Sequence, residues 1–269
     1  RHAVVGDNPD NLAERHYGNS NVIGPDPMHG THVAGIIADI AKGTADGGKW
    51  LQLMILRVVP NGDERDKDIA NAIRYAVDNG ATVINMSFGK SLSLHKSVVD
   101  EAVKYALAKD VLLVHAAGND AKYIDSVYSA NFPNPYVDSV YASNWIEVGA
   151  SGKRMKKLAA SFSNYGAKST DLFAPGVKIY STVPNNEYDY ESGTSMAAPV
   201  VSGIAALLRS HYPKLSARQV KEVLMKTVTK YNHYTDMPGN SKILMLFDVM
   251  SKSGGVVNAQ QAVRLANSY

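Results

Sequence analysis

The chain alternates between short continuous apolar runs and longer stretches of helical periodicity. Four runs have the make-up of buried strands: Leu51–Val59 (broken by Arg57), Thr82–Ser87, Val111–His115 and Trp145–Ala150. Around them, apolar residues recur at three- and four-residue intervals. Val33, Ile36, Ile37 and Ile40 predict a helix over 30–40. The charged stretch Asp63–Asp68 reads as a solvated loop leading into a helix that Asp66 or Asp68 caps and Asn79-Gly80 stops. A helix near 93–109 would bury Val98, Ala102, Tyr105 and Ala106. Three more are expected: from about Ser195 to Tyr212, from 216 to 230 with Ser216 as N-cap, and over 258–266.

Strands buried on both faces and separated by helices predict a mainly parallel sheet covered on each side, a three-layer α/β/α architecture. No internal repeat or low-complexity linker divides the 269 residues, so 1–269 is expected to form a single domain. The longest irregular stretch, 120–143, is rich in Tyr, Asn, Pro and Ser, and a loop of that length is usually functional or mobile.

Composition narrows the chemistry. Without cysteine, thiol nucleophiles, disulfides and Cys-ligated zinc drop out. The formal charge is only +3 and the basic residues are scattered, which argues against nucleic acid. No apolar run approaches the roughly 18 residues of a membrane span. The opening residues Arg1–Asp7 lack a signal-peptide pattern, and the chain does not begin with Met, so a processed or truncated piece is expected.

Three segments carry candidate chemistry. In His29-Gly30-Thr31-His32-Val33-Ala34-Gly35 a histidine opens an apolar helix with small residues behind it. In Ser192-Gly193-Thr194-Ser195-Met196-Ala197-Ala198-Pro199 a serine opens a helix after a glycine turn, where free N–H groups and the positive dipole end suit an oxyanion. Pro199 is expected in the first turn, where its missing N–H costs nothing. In Ala116-Ala117-Gly118-Asn119-Asp120 an asparagine amide sits at the end of a buried strand, able to donate to developing negative charge. His29 and His32 have no nearby third ligand for zinc, and Gly47-Gly48-Lys49 lacks the full phosphate-loop pattern.

Together these segments resemble the subtilisin family of serine proteases, in family order. Weaker similarities are Val83–Gly89, Ala160–Gly166, Leu172–Gly176 and Gly255–Ala259. The resemblance implies a subtilisin-like fold and a serine endopeptidase acting on peptides or proteins through an acyl-enzyme. It implies Ser195 as nucleophile, His29 as general base, His32 as a structural histidine, and Asn119 with the Ser195 N–H as oxyanion hole. Ser87, Phe88 and Gly89, with Ala116, Ala117 and Gly118, resemble the two edges that hold a substrate backbone and line its first pocket. No cofactor is implied. Structural calcium occurs in the family, but Lys42–Lys49 lacks a ligand-rich loop. A secreted or cell-envelope location is a family expectation.

One element is missing. The family's triad aspartate ends the first core strand, in an apolar-apolar-Asp-Ser/Thr-Gly segment, and nothing before His29 matches. Asp7 has the apolar approach but is followed by Asn8-Pro9, and Asp10 and Asp26 lie in loop sequence. The chain is therefore expected to lack the first core strand and to be weakly active or inactive alone. Its missing N-terminal segment, or another chain, would be a partner. A non-catalytic peptide-binding pseudoprotease is the alternative.

Overall fold

A computed structural model describes residues 5–59, 64–125 and 131–269; Asp63, in the charged stretch, and part of the irregular stretch lie outside them. In chain order the strands are Val83–Met86 (β1), Leu112–Ala116 (β2), Tyr136–Val137 (β3), Val140–Tyr141 (β4), Trp145–Ser151 (β5), Leu172–Pro175 (β6), Ile179–Val183 (β7), Glu187–Glu191 (β8), Thr229–Lys230 (β9), Tyr234–Met237 (β10), Asn240–Leu246 (β11) and Gly255–Val256 (β12). The α-helices are Met28–Lys42 (α1), Asp66–Asp78 (α2), Lys96–Ala108 (α3), Thr194–His211 (α4), Ala217–Lys226 (α5) and Ala259–Ala266 (α6).

Six strands form one sheet in the order β1-β2-β5-β6-β12-β9, parallel except at β9. Strand alternation divides the core into two layers. Leu112, Val114, Ile146 and Val148 share an apolar cluster with residues of α4, α5 and α6. Leu113 and Trp145 point the other way, into a cluster with Ile69, Ile73, Ala102 and Val103 of α2 and α3. Helices on both faces of a mainly parallel sheet make the expected three-layer α/β/α fold.

Local chemistry corrects several boundaries. Ser216 caps α5 in a reciprocal box with Gln219, but the helix stops at Lys226 and Thr229–Lys230 turns into an edge strand. In α3 the buried positions are Val99, Ala102, Val103 and Ala106; Val98 and Tyr105 are only partly buried. Asn79 ends α2 and Gly80 follows at φ +84°, as expected. Neither Asp66 nor Asp68 caps α2. Asp66 is buried and reaches across to the loop before α3. It accepts from Ser93 Oγ (2.8 Å) and the His95 N–H (2.9 Å), and pairs with Lys90 (2.8 Å).

The largest departure is Leu51–Val59, which forms no strand. It runs unpaired, with Leu53, Met54 and Ile55 exposed by 44%, 41% and 49%. Among the described residues β1 is likewise bare along the edge away from β2, and only Met86 of its four residues is buried. The apolar pattern showed that Leu51–Val59 wants a neighbour; it could not show that no strand pairs with it among the described residues. Between this run and the N-terminal half of α1 lies a cleft of about 910 Å³, whose lining includes His29, Leu53, Ile55, Arg57, Asn85 and Ser87.

Candidate active site

His29 lies in the first turn of α1 and Ser195 in the first turn of α4. The two helices run side by side in the same direction. Val33 and Ile36 share an apolar cluster with Met196 and Val200, and Ile40 packs where Gly203 has no side chain. Their N-terminal turns therefore sit at the same end. On its other side α1 is pinned to the β7–β8 hairpin. His32, fully buried, directs Nε2 at the carbonyls of Ile179 (3.1 Å) and Asp189 (3.2 Å); carbonyls only accept, so Nε2 carries the proton. This gives His32 a structural place, holding both hairpin strands to the helix.

Thr194 and Asn119 organise the turn before the helix. The Thr194 N–H and Oγ–H both donate to Asn119 Oδ1, at 2.9 and 3.0 Å. Because the backbone N–H can only donate, Oδ1 is fixed as the acceptor and Nδ2 must point elsewhere. A Cβ on Gly193 would lie 3.5 Å from Asn119 Nδ2 and 3.6 Å from the Ser195 backbone N. The two expected oxyanion donors thus both lie within 3.6 Å of one point beside Gly193. The Gly118 N–H donates to Thr194 Oγ1 (3.1 Å), tying the Asn119 segment to α4.

Ser195 is clamped by Ser87. Pro199 lies beyond the first turn of α4, which corrects the sequence expectation. It has no N–H to give the carbonyl four residues earlier, that of Ser195. Ser87 Oγ–H donates to that carbonyl instead, at 2.8 Å. Ser87 Oγ in turn accepts from Asn85 Nδ2 (2.9 Å), and Asn85 Oδ1 accepts from Ser202 Oγ (2.9 Å). The Ser195 hydroxyl points at the Ser87 carbonyl, 3.3 Å away, rather than bonding to His29.

Ser87-Phe88-Gly89 and Ala116-Ala117-Gly118 leave the C-terminal ends of the adjacent strands β1 and β2, the end of a parallel sheet where ligands bind. Asn131 closes the gap between them. A Cβ at Gly89 would collide with the Asn131 amide, and one at Gly118, where φ is +102°, would lie 3.0 Å from its Nδ2. Asn164 secures the second edge: its Nδ2 donates to the Ala117 carbonyl (2.8 Å) and its Oδ1 accepts from the N–H groups of Asp120 and Lys122. Sequence reading missed Thr194, Asn85, Asn131 and Asn164. The one readable signal was Pro199 four residues after Ser195, which requires a substitute donor.

His29 is exposed at the cleft, and among the described residues neither ring nitrogen has a hydrogen-bond partner. Although the residue is open to solvent at the cleft, the protein packed around the ring desolvates it, and with His32 nearby this pulls its pKa below the ordinary 6.5, against the charges of Glu191 and Asp26. Neither carboxylate hydrogen-bonds the ring; Asp26 Oδ1 accepts from the Met28 N–H at the start of α1. Asp7 is buried and pairs with Lys67 (2.7 Å). Among the described residues no group of three or more His, Asp or Glu could hold a metal ion, and no helix is long and apolar enough to cross a membrane.

Known proteins resemble the chain over most of its length. Residues 6–243 match the family model described as the subtilase family, Peptidase_S8. The chain is 44% identical over 193 residues to the thermophilic serine proteinase of Bacillus sp. (strain AK1), covering 69% of this chain and 44% of that protein. It is 40% identical to subtilisin DY of Bacillus licheniformis, over 75% of this chain and 70% of that one. Less than half of the thermophilic proteinase is therefore represented. Among solved structures, patellamide maturation protease PatA matches with a TM-score of 0.68 and 26% identity, covering 89% of this chain and 84% of that one. Prenylagaramide maturation protease PagA matches with a TM-score of 0.63, 27% identity and coverage of 89% and 82%. A parallel α/β/α core, two helix N-termini bearing His29 and Ser195, and a family match across most of the sequence lead to one conclusion: this chain belongs to the subtilase family of subtilisin-like serine proteases.

Proposed function

We propose that residues 1–269 form a single serine endopeptidase domain that bears the nucleophile and the base and lacks the segment with the triad aspartate. Ser195 Oγ attacks the scissile carbonyl, His29 takes its proton and returns it to the leaving amine, and an acyl-enzyme forms and is hydrolysed. Asn119 Nδ2 and the Ser195 N–H stabilise the tetrahedral oxyanion. The observation that carries this reading is that both nitrogens lie within 3.6 Å of one point beside Gly193. In subtilisin, itself a family member, losing one such donor costs about 10²–10³ in rate. The substrate is a peptide or protein held between Ser87–Gly89 and Ala116–Gly118, with Asn131 giving its first pocket a polar wall. The mechanism asks for no cofactor. The cell exterior or envelope is the proposed location; the curated relatives include both a cell wall-associated and an intracellular protease of Bacillus subtilis.

The carboxylate that orients His29 comes, in this reading, from an extended segment lying in the cleft beside Leu51–Val59. The bare edge of β1 offers backbone pairing, and Leu53 and Ile55 offer apolar contact. The buried Arg57 Nη1, which has no hydrogen-bond partner among the described residues, offers charge. Whether joined to this chain or separate, such a segment completes the sheet and the triad together. In subtilisin, loss of the triad carboxylate alone costs about 10⁴ in rate.

The test is labelling by a serine-directed fluorophosphonate, with and without a supplied apolar strand ending in Asp. Slow labelling that rises by orders of magnitude with the strand, and vanishes in Ser195→Ala, is expected. Labelling that survives in Ser195→Ala overturns the nucleophile. Peptide binding with no labelling under either condition establishes the pseudoprotease instead.

A further inference from the structure

Beneath the Ser87–Gly89 edge lies a buried polar pair that the proposed mechanism does not use. His115 on β2 and Glu147 on β5 are register partners on the face of the sheet that α2 and α3 cover. They are 0% and 2% exposed. Polar side chains are not placed in a strand core without partners, and here every partner is identifiable. His115 Nδ1 lies 2.9 and 3.1 Å from the two Glu147 carboxylate oxygens. Trp145 Nε1–H donates to Glu147 Oε2 (2.7 Å). The neighbouring carboxylate, Asp171, is matched by Lys221 (3.0 Å) and Lys252 (3.2 Å), which leaves Glu147 to His115.

The other ring nitrogen reaches the edge itself. His115 Nε2 is 2.9 Å from the Phe88 carbonyl oxygen, and because that oxygen only accepts, Nε2 is the donor. The Phe88 ring meets the imidazole edge-on, with centroids 6.4 Å apart at 79°. Pinning the Phe88 carbonyl inward has a geometric consequence. The peptide between Phe88 and Gly89 is planar and trans, so its N–H, that of Gly89, points the opposite way, away from His115. That N–H has no partner among the described residues. On one side of this peptide Ser87 holds Ser195; on the other Gly89 abuts Asn131.

We propose that His115, anchored by Glu147, is a positioning residue that holds the Phe88–Gly89 peptide with its N–H presented to the backbone of an extended peptide substrate. This rests on the peptidase reading of Ser195 and extends it to a residue buried two strands in. Without the Nε2 donor the peptide is free to rotate, and the edge loses its register with the substrate while the nucleophile keeps its own contacts.

The experiment compares two serine-directed probes on the protein with its strand supplied: a small alkyl fluorophosphonate, which does not reach the edge, and a peptidyl diphenyl phosphonate four residues long, which lies along it. His115→Phe keeps an aromatic ring and loses the donor; His115→Gln keeps a donor; Glu147→Gln loosens the anchor and serves as a second variant should His115→Phe not fold. The peptidyl probe is expected to slow by about tenfold in His115→Phe, the scale of one lost hydrogen bond, with the small probe nearly unchanged and His115→Gln recovering most of the loss. Equal losses on both probes, no loss on either, or His115→Gln as impaired as His115→Phe overturns the positioning role. If the unmodified protein reacts with neither probe, the peptidase reading fails, and this inference with it.

Discussion

Ser195 is held by a hydroxyl standing in for a backbone donor that Pro199 cannot supply. In Ser87→Ala the Ser195 carbonyl is left without its partner, at a cost of about 1–3 kcal/mol, visible as a lower denaturant midpoint. Pro199→Ala returns an N–H at the right spacing, so Ser87→Ala is expected to cost less in that background. Additive losses would show that the two sites do not share the carbonyl. His29 gives a second residue-scale expectation. Its folded pKa is depressed, and the base acts when neutral, so the acid limb of fluorophosphonate labelling should fall below pH 6.5 in the chain alone. A carboxylate brought beside the ring favours the imidazolium and should move that limb upward. A limb that stays put on adding the strand would place the carboxylate elsewhere.

At the scale of elements, α2 and the approach to α3 are joined through Asp66. Burial alone would raise its pKa. The bonds from Lys90, the His95 N–H and Ser93 Oγ outweigh this and hold it below the ordinary 3.8. A carboxyl with a depressed folded pKa contributes stability that is full above the unfolded value and lost as pH falls through the folded one. Asp66→Asn should therefore be less stable than the unmodified chain at neutral pH, by about 1–3 kcal/mol, with the gap closing below about pH 3.8 in urea titrations. A gap independent of pH would assign the loss to packing. Elements also show what a sequence can carry. β1, β2 and β5 were legible because continuous apolar runs are explained by burial on both faces, and Ser216 because a capping box is local. His29, Ser195 and Asn119 were legible as short motifs. Thr194 on Asn119, Ser87 on Ser195 and His115 on Phe88 join residues 75, 108 and 27 positions apart, and no local periodicity encodes such bonds. Leu51–Val59 failed for the opposite reason: its pattern was read correctly as a strand's, but a strand is defined by its neighbour.

For the whole molecule the consequence is association. A bare parallel edge at β1, facing an exposed apolar run, is a template for pairing with another chain. Without a strand in the cleft, the protein should self-associate as its concentration rises in sedimentation velocity; supplying an apolar strand ending in Asp should return it to a monomer as labelling increases. A monomer that resists association at all concentrations would mean that the cleft is closed by other means.

Gly203 has a wider significance than its place in the middle of α4 suggests. A side chain there would begin 2.7 Å from Ile40 Cδ1 and 3.1 Å from Ile40 Cβ. The bare α-carbon is thus a gauge block between the rod that carries His29 and the rod that carries Ser195. The sheet does not set that spacing, because α1 rests on α4 and on a hairpin outside the central sheet. Proton transfer is sensitive to displacements of about 1 Å. On the proposed mechanism, the reaction rate therefore reports the thickness of a helix contact two turns beyond Ser195.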